Sequence, residues 1–316
     1  MALDSATVRF LKQLAEGDGK PLHECTPDEA RAFGSKLAIL AGPAPAMERM
    51  EERTIEGPDG QARLRILVPI QNPLGVLVYY HGGGWVLGSI DEYDTIARKL
   101  AERTSCTVVL VAYRLAPEHR YPAAVDDSYA ALEWVGKHLG DIAGQKAPLI
   151  VVGDSAGGNL AAVMAVRARD HGGPSIALQV LIYPVTDADF DRPSYNDPEN
   201  HLLLTRDGMI WFWDHYLPDP SCRAEPDASP LHTKDLSGLP PAVILTAEHD
   251  VLRDEGEAYA ARLREANVPT DLHRYAGQMH GFFTLLMLPG SELGFQQVVK
   301  GVKACIVRTR KAQSAQ

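Results

Sequence analysis

Three stretches of this chain are nearly continuous apolar runs: GVLVYY (75–80), CTVVLVAY (106–113) and PLIVVG (148–153). A strand with one face in water alternates apolar and polar residues, so runs like these read as strands covered on both faces. Between the first two, residues 91–104 have helical spacing, with Ile96 and Leu100 on one side. Pro122 opens another helix that runs through Tyr129, Leu132 and Val135. SAGGNLAAVMAVRARD (155–170) follows the third run at once and is Ala-rich and helical. IALQVLIYP (176–184), AVILTAEHD (242–250) and TDLHRYAG (270–277) read as three further strands. A helix at 254–267 separates the last two, and a final helix covers roughly 291–311. ARLRILVP (62–69) alternates and predicts a strand with one solvated face. Strands alternating with helices predict an α/β fold with a mostly parallel central sheet and helices on both faces. Reactive groups in such sheets gather at the carboxyl ends of the strands.

Two segments break the alternation. Residues 1–45 open with an amphipathic stretch. Thr26, Pro27 and Glu29 then supply an N-cap hydroxyl, a proline at the first helical position and a glutamate two positions further on, and Gly42-Pro43 stops that helix. This segment predicts two helices and no strand. Residues 185–235 hold proline-rich turns, LLLT (202–205) and the aromatic stretch MIWFWDHY (209–216). An insertion of this length is usually functional or disordered, and this one is too apolar for disorder. The expectation is a helical cap over the strand ends, built from 1–45 and 185–235, in preference to a connection packed on the sheet flank. The chain then divides into cap helices (1–45), core (46–184), cap insertion (185–235) and core (236–316).

Composition narrows the chemistry. With 316 residues and 45% apolar content the chain can bury a large core. Its 31 basic and 41 acidic residues leave a net charge of −10, and without a Lys/Arg cluster it should repel phosphate backbones, so no nucleic-acid partner is expected. Cys25, Cys106, Cys222 and Cys305 are scattered with no CxxC pair, which reads as reduced thiols. HExxH, P-loop and GxGxxG motifs are missing, and neither metal nor cofactor is expected. No apolar run approaches the ~18 residues that span a bilayer. The opening MALDSATVRFLKQLAEGDGK lacks the basic-then-apolar pattern of a signal peptide. A soluble, cytoplasmic protein without stable membrane association is expected; a monomer and a homodimer are equally compatible with the sequence.

Gly153-Asp154-Ser155-Ala156-Gly157 lies between a buried strand and a helix. GxSxG in that setting forms a nucleophile elbow: the sharp turn exposes Ser155, small neighbours let strand and helix approach, and the helix N-terminus points N–H groups at the same spot. His81-Gly82-Gly83-Gly84-Trp85 follows a strand, and consecutive glycines can turn N–H groups inward as an oxyanion hole requires. A serine nucleophile needs a base and the base an orienting acid. His280, in the loop after the last strand, and Asp250, at the end of AVILTAEHD, stand in the order the fold demands. Asp254 and Glu255 read instead as charges in the first turn of a helix. His249 reads as a packing residue, and His81 as support for the glycine loop.

HGGGW, YRLAPEHRYPAAVDD (113–127), GDSAGGNLA (153–161), HDVLRDEG (249–256) and MHGF (279–282) together resemble the bacterial hormone-sensitive lipase-like esterases, the family IV lipolytic enzymes of the α/β-hydrolase superfamily. The resemblance runs from about residue 75 to 285. It implies Ser155 as nucleophile, His280 as base and Asp250 as acid, with Gly83, Gly84 and Ala156 supplying oxyanion N–H groups. It also implies a serine carboxylesterase acting on short- to medium-chain acyl esters, with a small-molecule ester as partner. Trp85, Leu204, Met209 and Phe212 are candidates to line the substrate pocket, against plain cap packing. A deacetylase or amidase could use the same triad. A non-catalytic ligand-binding member of the fold would resemble the plant gibberellin receptors, which look like an enzyme that has lost the catalytic histidine; here His280 is present.

Overall fold

The computed structural model describes residues 2–314 except 18, 59 and 145. Its strands are β1 (Arg49–Gly57), β2 (Gly60–Val68), β3 (Val76–Tyr80), β4 (Thr107–Ala112), β5 (Leu149–Asp154), β6 (Ile176–Ile182), β7 (Ala242–His249) and β8 (Thr270–Met279). They form one sheet in the order β1-β2-β4-β3-β5-β6-β7-β8. The β1–β2 and β2–β4 pairs are antiparallel, and every pair from β4 across to β8 is parallel.

The continuous apolar runs divide between two cores because successive side chains of a strand point to opposite faces. Along β3, Val76, Val78 and Tyr80 enter one cluster and Leu77 and Tyr79 the other; along β5, Leu149 and Val151 part from Ile150 and Val152 in the same way. Helices Ala123–Lys137, Ala156–Asp170 and Arg253–Glu265 cover the first face with Leu132, Leu160 and Leu263. Helices Asp94–Thr104 and Pro289–Ser314 cover the second with Leu100, Val298 and Val302. Each such side chain taken fully out of water contributes about 1.5–3 kcal/mol, and every residue of β5 is buried.

One strand has no counterpart among the expected elements. β1, RMEERTIEG, buries a single side chain, Ile55. It is a charged edge strand held by its hairpin ladder to β2, from Arg49 opposite Val68 to Gly57 opposite Gly60. Charge on an edge discourages pairing with other chains and also hides the strand from any search for apolar pattern. β2 meets its expectation only in part: Arg63 is exposed and Arg65 half-buried, but Ile66, Leu67 and Val68 are all buried.

The N-terminal helices are Ser5–Ala15 and Pro27–Ala38, the second opened by the Thr26/Glu29 capping box. Phe10 of the first packs with Met279, Leu285 and Leu288, and the Asp4 N–H bonds Gly277 O at 3.0 Å. Arg31 of the second donates to the carbonyls of Val86 and Ala116, each at 3.0 Å. In the 185–235 stretch, Thr205 caps a helix at Arg206–Tyr216, and Leu22 lies against it at Gly208. No helix among the described residues is long and apolar enough to cross a membrane.

Candidate active site

Ser155 joins β5 to helix Ala156–Asp170 with φ 55° and ψ −119°. A side chain in that region is strained, and the surroundings hold it there. Its N–H bonds Ile182 O at 2.8 Å, and its carbonyl accepts the Val185 N–H at 3.2 Å. A Cβ on Gly153 would collide with the Gly157 carbonyl, so the strand and helix meet with no room for larger residues.

His280 follows β8, and its Nε2 lies 3.1 Å from Ser155 Oγ. Its Nδ1 lies 2.9 Å from Asp250 Oδ2, at the end of β7. With the proton on Nδ1, the ring donates to Asp250 and accepts the serine hydroxyl. Asp250 is 1% exposed, and its other oxygen takes the Leu252 N–H at 2.9 Å. The three side chains named from the sequence thus form one hydrogen-bonded series at the carboxyl ends of β5, β7 and β8. Ser155 itself is 7% exposed.

The glycine loop follows β3. Gly83 and Gly84 have φ of 106° and 59°, conformations open to glycine at little cost. Among the described residues, no acceptor bonds the N–H groups of Gly83, Gly84 or Ala156. The Gly82 N–H, by contrast, is bonded to Asp154 Oδ1 at 3.0 Å. Asp154 also accepts the hydroxyls of Tyr79 at 2.8 Å and Tyr93 at 3.3 Å. Burial pushes the Asp154 carboxyl up to about 6, against the pull of Tyr79, of His280 and of the Gly82 N–H. This residue therefore ties the glycine loop to the turn that carries Ser155, a link that residue types alone did not reveal.

His81 supports the loop from beneath. Its ring stacks on Tyr113 at 4.3 Å, and the Tyr113 hydroxyl donates to the His81 carbonyl at 2.7 Å. Burial pushes its imidazole down to about 4, so it is neutral near neutral pH.

The four candidate pocket residues are all buried. Phe212 covers Gly84 so closely that a Cβ there would overlap its ring. Met209 lies one turn earlier on the same helix, and Leu204 precedes the helix cap. Trp85 is wholly enclosed, stacked on Tyr216 at 4.2 Å and tilted against Trp213 at 4.9 Å. Glu255 lies in the first turn of its helix, as expected, but not as an exposed charge. It is fully buried, accepts the Thr186 N–H at 2.7 Å, and burial drives its carboxyl well above the usual range. Asp254 accepts the Ser194 N–H at 2.8 Å, away from the His280 ring that Asp250 holds.

A mostly parallel sheet whose fifth strand delivers a positive-φ serine to an imidazole on the loop after its last strand defines the α/β-hydrolase class. A sequence profile described as alpha/beta hydrolase fold matches residues 77–284. Carboxylesterase NlhH of Mycobacterium tuberculosis is 44% identical over 247 residues, 76% of this chain and 77% of that protein. Ethyl acetate hydrolase of Pseudomonas putida is 35% identical over 95% of this chain and 98% of its own length. A solved esterase from the archaeon Pyrobaculum calidifontis superposes with a TM-score of 0.90 at 39% identity, covering 96% of this chain and 99% of that one. The chain belongs to the α/β-hydrolase family, in the hormone-sensitive lipase-like branch its motifs resemble.

Proposed function

We propose that this protein hydrolyses carboxylic esters through an acyl-enzyme formed on Ser155. The observation that carries the reading is the hydrogen-bonded series from Ser155 Oγ through His280 to Asp250. Oγ attacks the ester carbonyl carbon while Nε2 of His280 takes its proton, and Asp250 holds the resulting imidazolium through Nδ1–H. The carbonyl electron pair moves onto oxygen, where the N–H groups of Gly83, Gly84 and Ala156 stabilise it; one such donor is typically worth about 10²–10³ in rate. The bond to the alcohol oxygen then breaks, and that oxygen leaves with the proton from His280. Water repeats the sequence at the acyl-serine and frees the acid. Every proton and electron pair in this scheme is carried by protein groups, substrate and water. The carboxylesterase, ethyl acetate hydrolase and esterase among the relatives support an ester over an amide as substrate.

The contacts of residues 1–45 and 185–235 with the loops beyond the strand ends support their reading as a cap. Phe212, Met209 and Leu204 then bound the acyl or alcohol side, with Trp85 stiffening the loop beneath them. A pocket closed in this way favours short to medium acyl chains.

Hydrolysis of p-nitrophenyl butyrate tests the chemistry. Ser155→Ala should lose turnover by at least about 10⁴-fold with an unchanged circular dichroism spectrum. Retained turnover would move the nucleophile elsewhere. A series of p-nitrophenyl esters tests the cap: kcat/KM should be higher for butyrate than for palmitate, and the opposite order would remove the confined pocket.

A further inference from the structure

The segment that leaves β6 is bonded to the nucleophile turn on both sides. Ile182 O takes the Ser155 N–H at 2.8 Å, and the Val185 N–H gives to Ser155 O at 3.2 Å. Between these two bonds stands Tyr183, with φ 34°. A non-glycine aromatic residue in the left-handed region is an outlier that costs free energy unless its surroundings hold it there. Its own N–H is fastened to Leu245 O on β7 at 2.6 Å. Pro184 is wedged beside Gly158 of the elbow helix and Gly256 of the helix after Asp250. The strained kink lets this segment grip Ser155 twice and delivers one ring into the site.

That ring is 1% exposed. Its centroid lies 4.6 Å from that of the His280 imidazole, at an interplanar angle of 52°, and Phe282 packs edge-on behind it at 5.6 Å. The Tyr183 hydroxyl donates to Thr284 Oγ1 at 3.5 Å. His280 therefore has Ser155 at Nε2, Asp250 at Nδ1 and an aromatic wall against its ring. Asp250 is hydrogen-bonded to it, and Asp154 interacts with it electrostatically. A cation within about 6 Å of an aromatic centroid is attracted by the ring's negative face. Taking the serine proton puts a positive charge on His280, so this attraction acts on the transition state.

We propose that Tyr183 is a positioning residue of this site: its ring fixes the orientation of His280 and stabilises the imidazolium that forms during proton transfer. The proposal rests on the reading of Ser155 and His280 as nucleophile and base. The ring acts and the hydroxyl does not.

The experiment compares Tyr183→Phe and Tyr183→Leu with the wild-type chain on p-nitrophenyl butyrate. Active sites are counted by stoichiometric release of p-nitrophenolate from diethyl p-nitrophenyl phosphate. Phe keeps the ring and should hold kcat per titrated site within about threefold of wild type. Leu keeps bulk without a π face and should lower kcat per titrated site roughly 10- to 100-fold, with KM nearly unchanged. A residue needed only for folding would reduce the number of titrated sites and leave kcat per site alone, and that result overturns the proposal. So does a Leu effect confined to KM, which would make Tyr183 a substrate contact, or a Phe variant as slow as Leu, which would assign the effect to the hydroxyl. If Leu unfolds the chain, Tyr183→Met replaces it with the same expectations. Ser155→Ala, assayed alongside, separates the two failures: turnover by that variant removes the nucleophile reading, and the proposal with it. An inactive Ser155→Ala beside a fully active Tyr183→Leu removes the proposal alone.

Discussion

The α-carbon of Gly157 is pressed onto the carbonyl oxygen of Tyr80, so that any Cβ at 157 would overlap the last residue of β3. This contact joins the strand that feeds the glycine loop to the helix that begins after Ser155. The obstacle is backbone, which cannot rotate aside. Gly157→Ala should therefore cost at least the roughly 1–3 kcal/mol of an overpacked core site and displace the glycine loop from Ser155. A lowered melting temperature together with a large loss of kcat is expected; a variant as stable and active as wild type would contradict the contact.

In the proposed mechanism Ser155 and His280 act on one proton, so removing both should cost little more than removing either. Ser155→Ala/His280→Ala should fall within about tenfold of the single variants in kcat, although each single change costs several orders of magnitude. Independent, multiplying losses would mean the two side chains do not work as a unit.

His81 makes acid stability a local question. Its folded value of about 4 lies below the ordinary 6.5, so between those values the unfolded chain holds more protons on this residue. Its contribution is complete above about 6.5 and is lost as pH falls toward 4, amounting to about 3 kcal/mol. Asp154 works in the opposite sense. Its carboxyl, raised from 3.8 to about 6, binds more protons in the folded state, so it favours folding as pH drops through that range. In His81→Asn the Asp154 effect is no longer opposed by His81. Urea unfolding from pH 6.5 to 4 should show that variant losing less stability than wild type; parallel curves would mean His81 titrates normally.

Phe212 lies over Gly84, and its removal should open space beside the glycine loop. Phe212→Ala should raise kcat/KM for longer p-nitrophenyl esters relative to butyrate, chiefly through KM, while the half-life of phosphorylation by diethyl p-nitrophenyl phosphate changes little. An unaltered chain-length preference would make Phe212 a packing residue only.

The parts of this molecule that were legible in the sequence share one property: they are local. The apolar runs of β3, β4 and β5 announce burial on both faces because each residue contributes to one core or the other. The capping box at Thr26 and the small residues around Ser155 are demands of a single turn. β1 escaped because a charged edge strand is held by its partner's hydrogen bonds and buries only Ile55. Glu255 stands in the first turn of its helix as the sequence indicated, but its burial escaped because an acidic residue there looks alike whether it faces water or the Thr186 N–H. Tyr183 sits in an apolar run expected to be strand through 184, while β6 ends at Ile182, and no residue type there marks a left-handed backbone.

By itself, the sequence determined the α/β scaffold, the turn that carries Ser155 and the identity of the residues that could serve it, because periodicity and turn chemistry act over a few neighbouring positions. Only the tertiary structure decided that His280 meets both Ser155 and Asp250, that Asp154 binds the glycine loop through Gly82, and that Tyr183 lies against the imidazole. Those contacts join residues far apart along the chain, and their distances are set by strand order and register across the whole sheet.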